Sequence, residues 1–87
     1  MYLIVVYDIE VDRIDKVRAI LKRYLFWVQN SVFEGESNEA SLQSMIQEVR
    51  RVIKEDYDSI VIYEMNSPKT FKRTLLGTDL SLRGFVV

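Results

Sequence analysis

Cysteine and histidine are both missing from this chain. Without cysteine there is no disulfide framework and no thiolate metal site. Without histidine there is no imidazole base, nucleophile partner or ligand, which removes most hydrolase schemes at once. Proline occurs once, in Asn66-Ser67-Pro68, and that is the sharpest break in the chain. No apolar run is long enough to span a bilayer, and the first one follows Met1 directly with no basic segment ahead of it. No signal peptide is read there, so a cytoplasmic protein without membrane association is expected. No low-complexity stretch or internal boundary appears either. Residues 1–87 therefore read as one domain, with a core over about 1–65 and a C-terminal extension over 66–87. A hydrophobic fraction of 48% is ample for a core in a chain of 87 residues, near the small end of those that fold alone.

What the chain does have begins at Tyr2-Leu3-Ile4-Val5-Val6-Tyr7-Asp8, an apolar run ending in a carboxylate. β-Branched and aromatic residues dominate it, and it is too short for a typical helix, so it reads as a strand. Both of its faces are apolar, with Tyr2, Ile4 and Val6 on one side and Leu3, Val5 and Tyr7 on the other. That suits a central strand covered by helices on one face and by another chain on the other. Asp8 shares the face of Ile4 and Val6 at the strand's end. A rigid strand delivers it to the rim of a sheet, where it either serves a ligand or metal or caps the next segment.

Asp12 is a plausible N-cap for a helix whose stripe is Ile14, Val17, Ile20, Leu21, Tyr24 and Leu25. Its other side carries Arg13, Lys16, Arg18, Lys22 and Arg23. These form either a solvated face or an electropositive strip beside Asp8 that could hold a polyanion. Residues 27–36, from Trp27 to Glu36, read as one strand bulged near Gln29-Asn30-Ser31. Ser37-Asn38-Glu39 opens a second helix, with Leu42, Met45, Ile46, Val49, Val52 and Ile53 as its stripe and Glu55-Asp56 as its end. A central strand follows over 58–65. Thr70 to Leu76 suggests another short strand, Gly77-Thr78-Asp79 a turn, and Gly84-Phe85-Val86-Val87 a free apolar end.

The net charge of −1 hides an asymmetry. Residues 36–65 set Arg50, Arg51 and Lys54 against Glu36, Glu39, Glu48, Glu55, Asp56, Asp58 and Glu64. Residues 66–87 set Lys69, Lys72, Arg73 and Arg83 against Asp79 alone. A basic tail permits phosphate binding without demanding it.

Read in order, the elements give β-α-β-α-β and an extension. Two amphipathic helices on one face of an antiparallel sheet make an α+β sandwich of the ferredoxin-like kind. Leu3, Val5, Tyr7, Phe33 and Ile60 or Val61 are then expected on the uncovered face, in water unless a second copy covers them. The tail Phe85-Val86-Val87 suits pairing with a neighbour's sheet edge.

Two motifs are more specific. Tyr7-Asp8-Ile9, then a basic helix, then Val28-Gln29-Asn30-Ser31-Val32-Phe33-Glu34-Gly35 resembles the small CRISPR-associated adaptation protein, the second core Cas family and partner of the CRISPR spacer integrase. The resemblance spans essentially the whole chain. It implies a ferredoxin-like βαββαβ sandwich, paired as a homodimer with sheets face to face and C-terminal strands exchanged between subunits. It further implies a metal-dependent endonuclease acting on single-stranded RNA or double-stranded DNA in spacer acquisition for antiviral defence. The family's metal-binding aspartate falls on Asp8, one from each subunit, with Mg²⁺ (or Mn²⁺) as the ion. Tyr7 stands beside it, and the family's motif phenylalanine near the dimer site falls on Phe33. Arg13, Lys16 and Arg18 are the candidates for nucleic-acid contacts. Many family members carry arginine where this chain has Trp27, so that residue's phosphate contacts are absent here.

One aspartate per chain is a thin site for a cation that wants about six oxygens, unless a two-fold axis supplies a second Asp8. That sparseness keeps a second reading open, a non-catalytic dimeric scaffold that holds duplex DNA and bridges integrase dimers. A third, a small regulatory module that binds a metabolite at its dimer interface, would show weak salt dependence where phosphate contacts show a steep one.

Overall fold

The structure, a computed structural model, describes residues 1–77. The order is β1 (Tyr2–Asp8), α1 (Val11–Tyr24), β2 (Phe26–Gln29), β3 (Val32–Glu36), α2 (Glu39–Arg50) and β4 (Ser59–Met65), then a 3₁₀ turn over Pro68–Thr70. The strands form one sheet in the order β2-β3-β1-β4 with every neighbouring pair antiparallel. Each helix connects two parallel but non-adjacent strands. Right-handed crossovers of that kind put both helices on the same face. The result is the ferredoxin-like α+β sandwich.

The expected single bulged strand over 27–36 is instead a hairpin. Asn30, at φ 38, sits in the left-handed region and turns the chain at Asn30-Ser31. Asparagine tolerates that conformation better than most residues because its short polar side chain hydrogen-bonds locally. The irregularity survives only as a register shift between Trp27 and Gln29. Trp27 braces the turn, its indole N–H donating to the Asn30 carbonyl at 3.1 Å.

The sidedness of the sheet also differs from expectation. Leu3, Val5, Tyr7 and Phe33 point toward the helices and are buried with Val17, Leu21, Leu42, Met45 and Val49. Register then fixes the uncovered face. Tyr2, Ile4, Val6 and Asp8 lie there from β1, paired with Met65, Tyr63, Val61 and Ser59 of β4. Both faces of β1 are apolar, so alternation alone could not say which one the helices take. Phe33 settles it, because it stands opposite Val5 in the ladder and has no exposure.

The helix ends move as well. Helix α1 starts at Val11, with Glu10 rather than Asp12 at the cap and no local side-chain cap. Helix α2 is capped as expected, the Asn38 side chain accepting from the Ser41 N–H, but it ends at Arg50, short of Glu55-Asp56. Beyond Met65 no strand forms over Thr70 to Leu76. This segment folds back on the uncovered face, where the Phe71 ring lies 5.7 Å from that of Tyr2 and Arg73 pairs with Glu34. The remainder of the Gly77-Thr78-Asp79 turn, the apolar end at Gly84–Val87 and any C-terminal strand exchange lie outside the described residues. Among the described residues no helix is long and apolar enough to cross a membrane.

Candidate functional site

Strand β1 pairs with β3 from Tyr2 to Val6 and with β4 from Tyr2 through Asp8, where it ends. Asp8 is exposed, on the uncovered face, with Ser59 opposite it in the ladder. Among the described residues of one chain there is no group of three or more acids placed to share a metal ion. A single chain thus gathers no cluster of acids around Asp8 among the described residues. The donor set fits a hard cation only when substrate oxygens, water or a second Asp8 complete it.

Tyr7, its neighbour, faces the other way and is only 3% exposed. Its hydroxyl donates to the Asn30 carbonyl at 3.3 Å and accepts from Arg18 Nε at 3.1 Å. Its ring lies 6.1 Å from that of Phe33. Tyr7 therefore ties the central strand to the β2–β3 turn from inside the core. Phe33, which the resemblance puts near the dimer site, is a core residue of the single chain and cannot touch a partner directly.

The three basic candidates separate. Lys16 is exposed on α1 and, among the described residues, forms no salt bridge. Arg18 is partly engaged, by the Tyr7 hydroxyl and by Asp15 one turn earlier at 3.9 Å. Arg13, proposed from the sequence as a nucleic-acid contact, is committed elsewhere. Its Nε and Nη2 grip the two oxygens of Asp58 at 2.6 and 2.9 Å, and Nη1 reaches Asp12. A guanidinium held in that fork has little left to offer a phosphate.

Asp58 is the residue that sequence reading passed over. Its side chain has no solvent exposure, and it also accepts the backbone N–H groups of Glu10 and Lys54, each at 2.9 Å. It supplies the cap that α1 lacks locally, from 48 positions away in sequence. The Arg13 guanidinium, helped by those backbone donors, holds its carboxyl far below the usual carboxylate range. The only sequence signal was an acid immediately before a central strand. Glu34 is the second surprise: it lies opposite Ile4 on the uncovered face, yet it is buried and paired with Arg73. Burial, and after it the Glu34 charge, pushes the neighbouring Tyr2 phenol up.

Topology and site together define a class: a small ferredoxin-like sandwich whose central strand presents an exposed carboxylate on a sheet face its own helices do not cover. The family model described as CRISPR associated protein Cas2 matches residues 1–73. The chain belongs to the Cas2 family. It is 45% identical over 84 residues to a protein of Archaeoglobus fulgidus named CRISPR-associated endoribonuclease Cas2 2, covering 97% of this chain and 91% of that one. A solved crystal structure of Cas2 superposes with a TM-score of 0.83 at 48% identity, covering 93% and 91% of the two chains. Streptococcus pyogenes Cas2 superposes with a TM-score of 0.78 at 28% identity, covering 88% and 100%.

Proposed function

We propose that this chain works as a homodimeric, metal-dependent endonuclease that cleaves phosphodiester bonds of single-stranded RNA or duplex DNA. In this reading it acts in CRISPR spacer acquisition alongside the integrase. The observation that carries the proposal is the position of Asp8: an exposed carboxylate, at the end of a central strand and paired there with β4, on the face that needs a partner. A second copy packed on that face would bring a second Asp8 to the same site. The relatives' name, endoribonuclease, supports hydrolysis of a phosphodiester.

Two Asp8 carboxylates and the substrate's own phosphate oxygens are the hard oxygen donors that Mg²⁺ or Mn²⁺ takes. An ion held by Asp8 would acidify a water and neutralise charge on the phosphate, chemistry that a chain without histidine could not otherwise supply. Strand β1 holds Asp8 in place, and Ser59 keeps the ladder closed opposite it. Lys16 places positive charge on the exposed side of α1, with Arg18 half-buried beside it, and a polyanion's backbone is attracted to such charge without regard to sequence.

One observation favours a second reading. With no acid cluster in one chain among the described residues and Arg13 locked to Asp58, the chemistry is sparsely equipped, and a dimer that holds duplex DNA and bridges integrase dimers would need none of it. The test is cleavage of RNA and duplex DNA by purified protein with Mg²⁺ or Mn²⁺, comparing wild type with Asp8→Asn. The nuclease reading expects metal-dependent cleavage by wild type, abolished in the variant with duplex binding intact. Equal cleavage by both would sink it; binding without cleavage by either supports the scaffold.

A further inference from the structure

The geometry around Asp58 points to a role tied to Asp8. Its carboxylate collects four hydrogen bonds: from Glu10 N, Lys54 N, Arg13 Nε and Arg13 Nη2. These donors belong to three separate segments, namely the corner between β1 and α1, the loop after α2, and the first turn of α1. The residue after Asp58 is Ser59, the ladder partner of Asp8. On the other side, Asp8 is separated from Glu10 only by Ile9, whose side chain is 7% exposed and sits in the core. Both ends of the short path through Asp8 are thus pinned, one by the sheet and one by the Asp58 knot.

Stability alone is a weak reason for such a knot. Stripping water from a carboxylate and a guanidinium costs about what their attraction returns, and well-packed apolar groups often do as well. What a fork–fork pair with two added backbone donors gives is a fixed geometry. Groups behind a working carboxylate commonly hold it in this way.

We propose that Asp58 is a positioning residue for Asp8: through Glu10 N–H and Arg13 it sets the direction in which β1 delivers the Asp8 carboxylate to the rim. The proposal rests on the reading of Asp8 as the site carboxylate. It also gives Arg13 a partner inside the protein in place of a phosphate.

The test uses the full chain in its own assembly state, with Asp58→Asn and Arg13→Lys. Asparagine keeps the shape but replaces one acceptor oxygen by a donor; lysine keeps the charge but loses the fork. Amide hydrogen exchange is followed residue by residue, and Mn²⁺-supported cleavage is resolved into kcat and KM. The expected result is faster exchange, by about tenfold or more, over residues 8–13 and at Lys54, whose N–H Asp58 also accepts, with protection over Leu42–Val49 unchanged. The value of kcat should fall by about 10- to 100-fold with KM for the nucleic acid nearly constant, and Arg13→Lys should fall between wild type and Asp58→Asn. Exchange at 8–13 and kcat both at wild-type levels in a folded variant would overturn the proposal. So would protection lost evenly along the chain with kcat falling only as the folded fraction does. Should Asp58→Asn fail to fold, Arg13→Lys carries the same two readouts. Should wild type show no Asp8-dependent cleavage, the nuclease reading is lost, and exchange alone decides: loosening that includes 8–13 and spares Leu42–Val49 supports the role, and none at 8–13 refutes it.

Discussion

The Phe33 ring has no exposure and packs against Tyr7 inside the single chain. Truncating a fully buried ring removes its transfer energy and leaves a cavity, so Phe33→Ala should cost about 3–5 kcal/mol. Denaturant unfolding of the variant gives this number directly. Self-association of the protein that remains folded should be unchanged, whereas a ring at a subunit contact would loosen the dimer first. Asp58 calls for a different probe, pH. Its folded carboxyl is held below the ordinary range by Arg13, so the unfolded chain takes up a proton first as pH falls. The stabilisation is therefore fully present above the unfolded value, about 3.9, and is lost as pH drops below that toward the folded value. Urea midpoints taken from pH 6 down to pH 2 should fall steeply for wild type and more gently for Asp58→Asn. Glu48, lowered by the Tyr24 hydroxyl and then by Arg23, adds to the same acid-side slope. A pH-independent difference between the two proteins would show that the ion pair is not the origin of the effect.

At the scale of elements, the β2–β3 hairpin shows best where sequence reading reaches its limit. Val28 and Val32 lie four apart, and Trp27 and Phe33 six apart, as in one continuous strand of period two. A two-residue turn that keeps the alternation in phase is invisible to that pattern. What gives it away is backbone conformation at Asn30, and asparagine is only a permissive sign of it. Asn30→Gly should leave stability nearly unchanged, while Asn30→Val should lower it by about 1–2 kcal/mol, measured by thermal unfolding. Helix α2 was legible for the opposite reason. Asn38 caps locally, accepting from Ser41 three residues on, and that contact is written in adjacent residues. Helix α1 takes its cap from Asp58, across the fold, and local inspection pointed to Asp12 instead. The candidate site divides in the same way. Asp8 could be placed by counting along a strand, but the loss of Arg13 to Asp58 depends on a contact between positions 45 apart.

At the scale of the whole molecule, one sheet face is left largely open by the described residues. Val61 is 48% exposed, Tyr63 56% and Phe26 77%, and Val6 stands among them on the central strand. Among the described residues the chain's own C-terminal segment reaches one end of this face, where Phe71 meets Tyr2 and Arg73 meets Glu34. The opposite end, toward Val6 and Asp8, has no such cover among the described residues. An apolar strip on a central strand, unshielded by either helix, is the kind of surface that a second copy buries. Val6→Glu tests this because Val6 is outside the core, so the variant should still fold cooperatively, its unfolding midpoint lowered by what association contributes to wild type. Across a two-fold axis the new carboxylate would enter a drying interface with its own image nearby, and both desolvation and like charge oppose that. Sedimentation should show the wild-type dimer and a Val6→Glu monomer at the same micromolar concentration. If the site is shared between two Asp8 residues, metal-dependent cleavage should then vanish with the dimer although Asp8 itself is untouched. A Val6→Glu protein that still sediments as a dimer would place the contact on another face. A monomer that still cleaves would show that one Asp8 suffices, and the shared-carboxylate site would have to be abandoned.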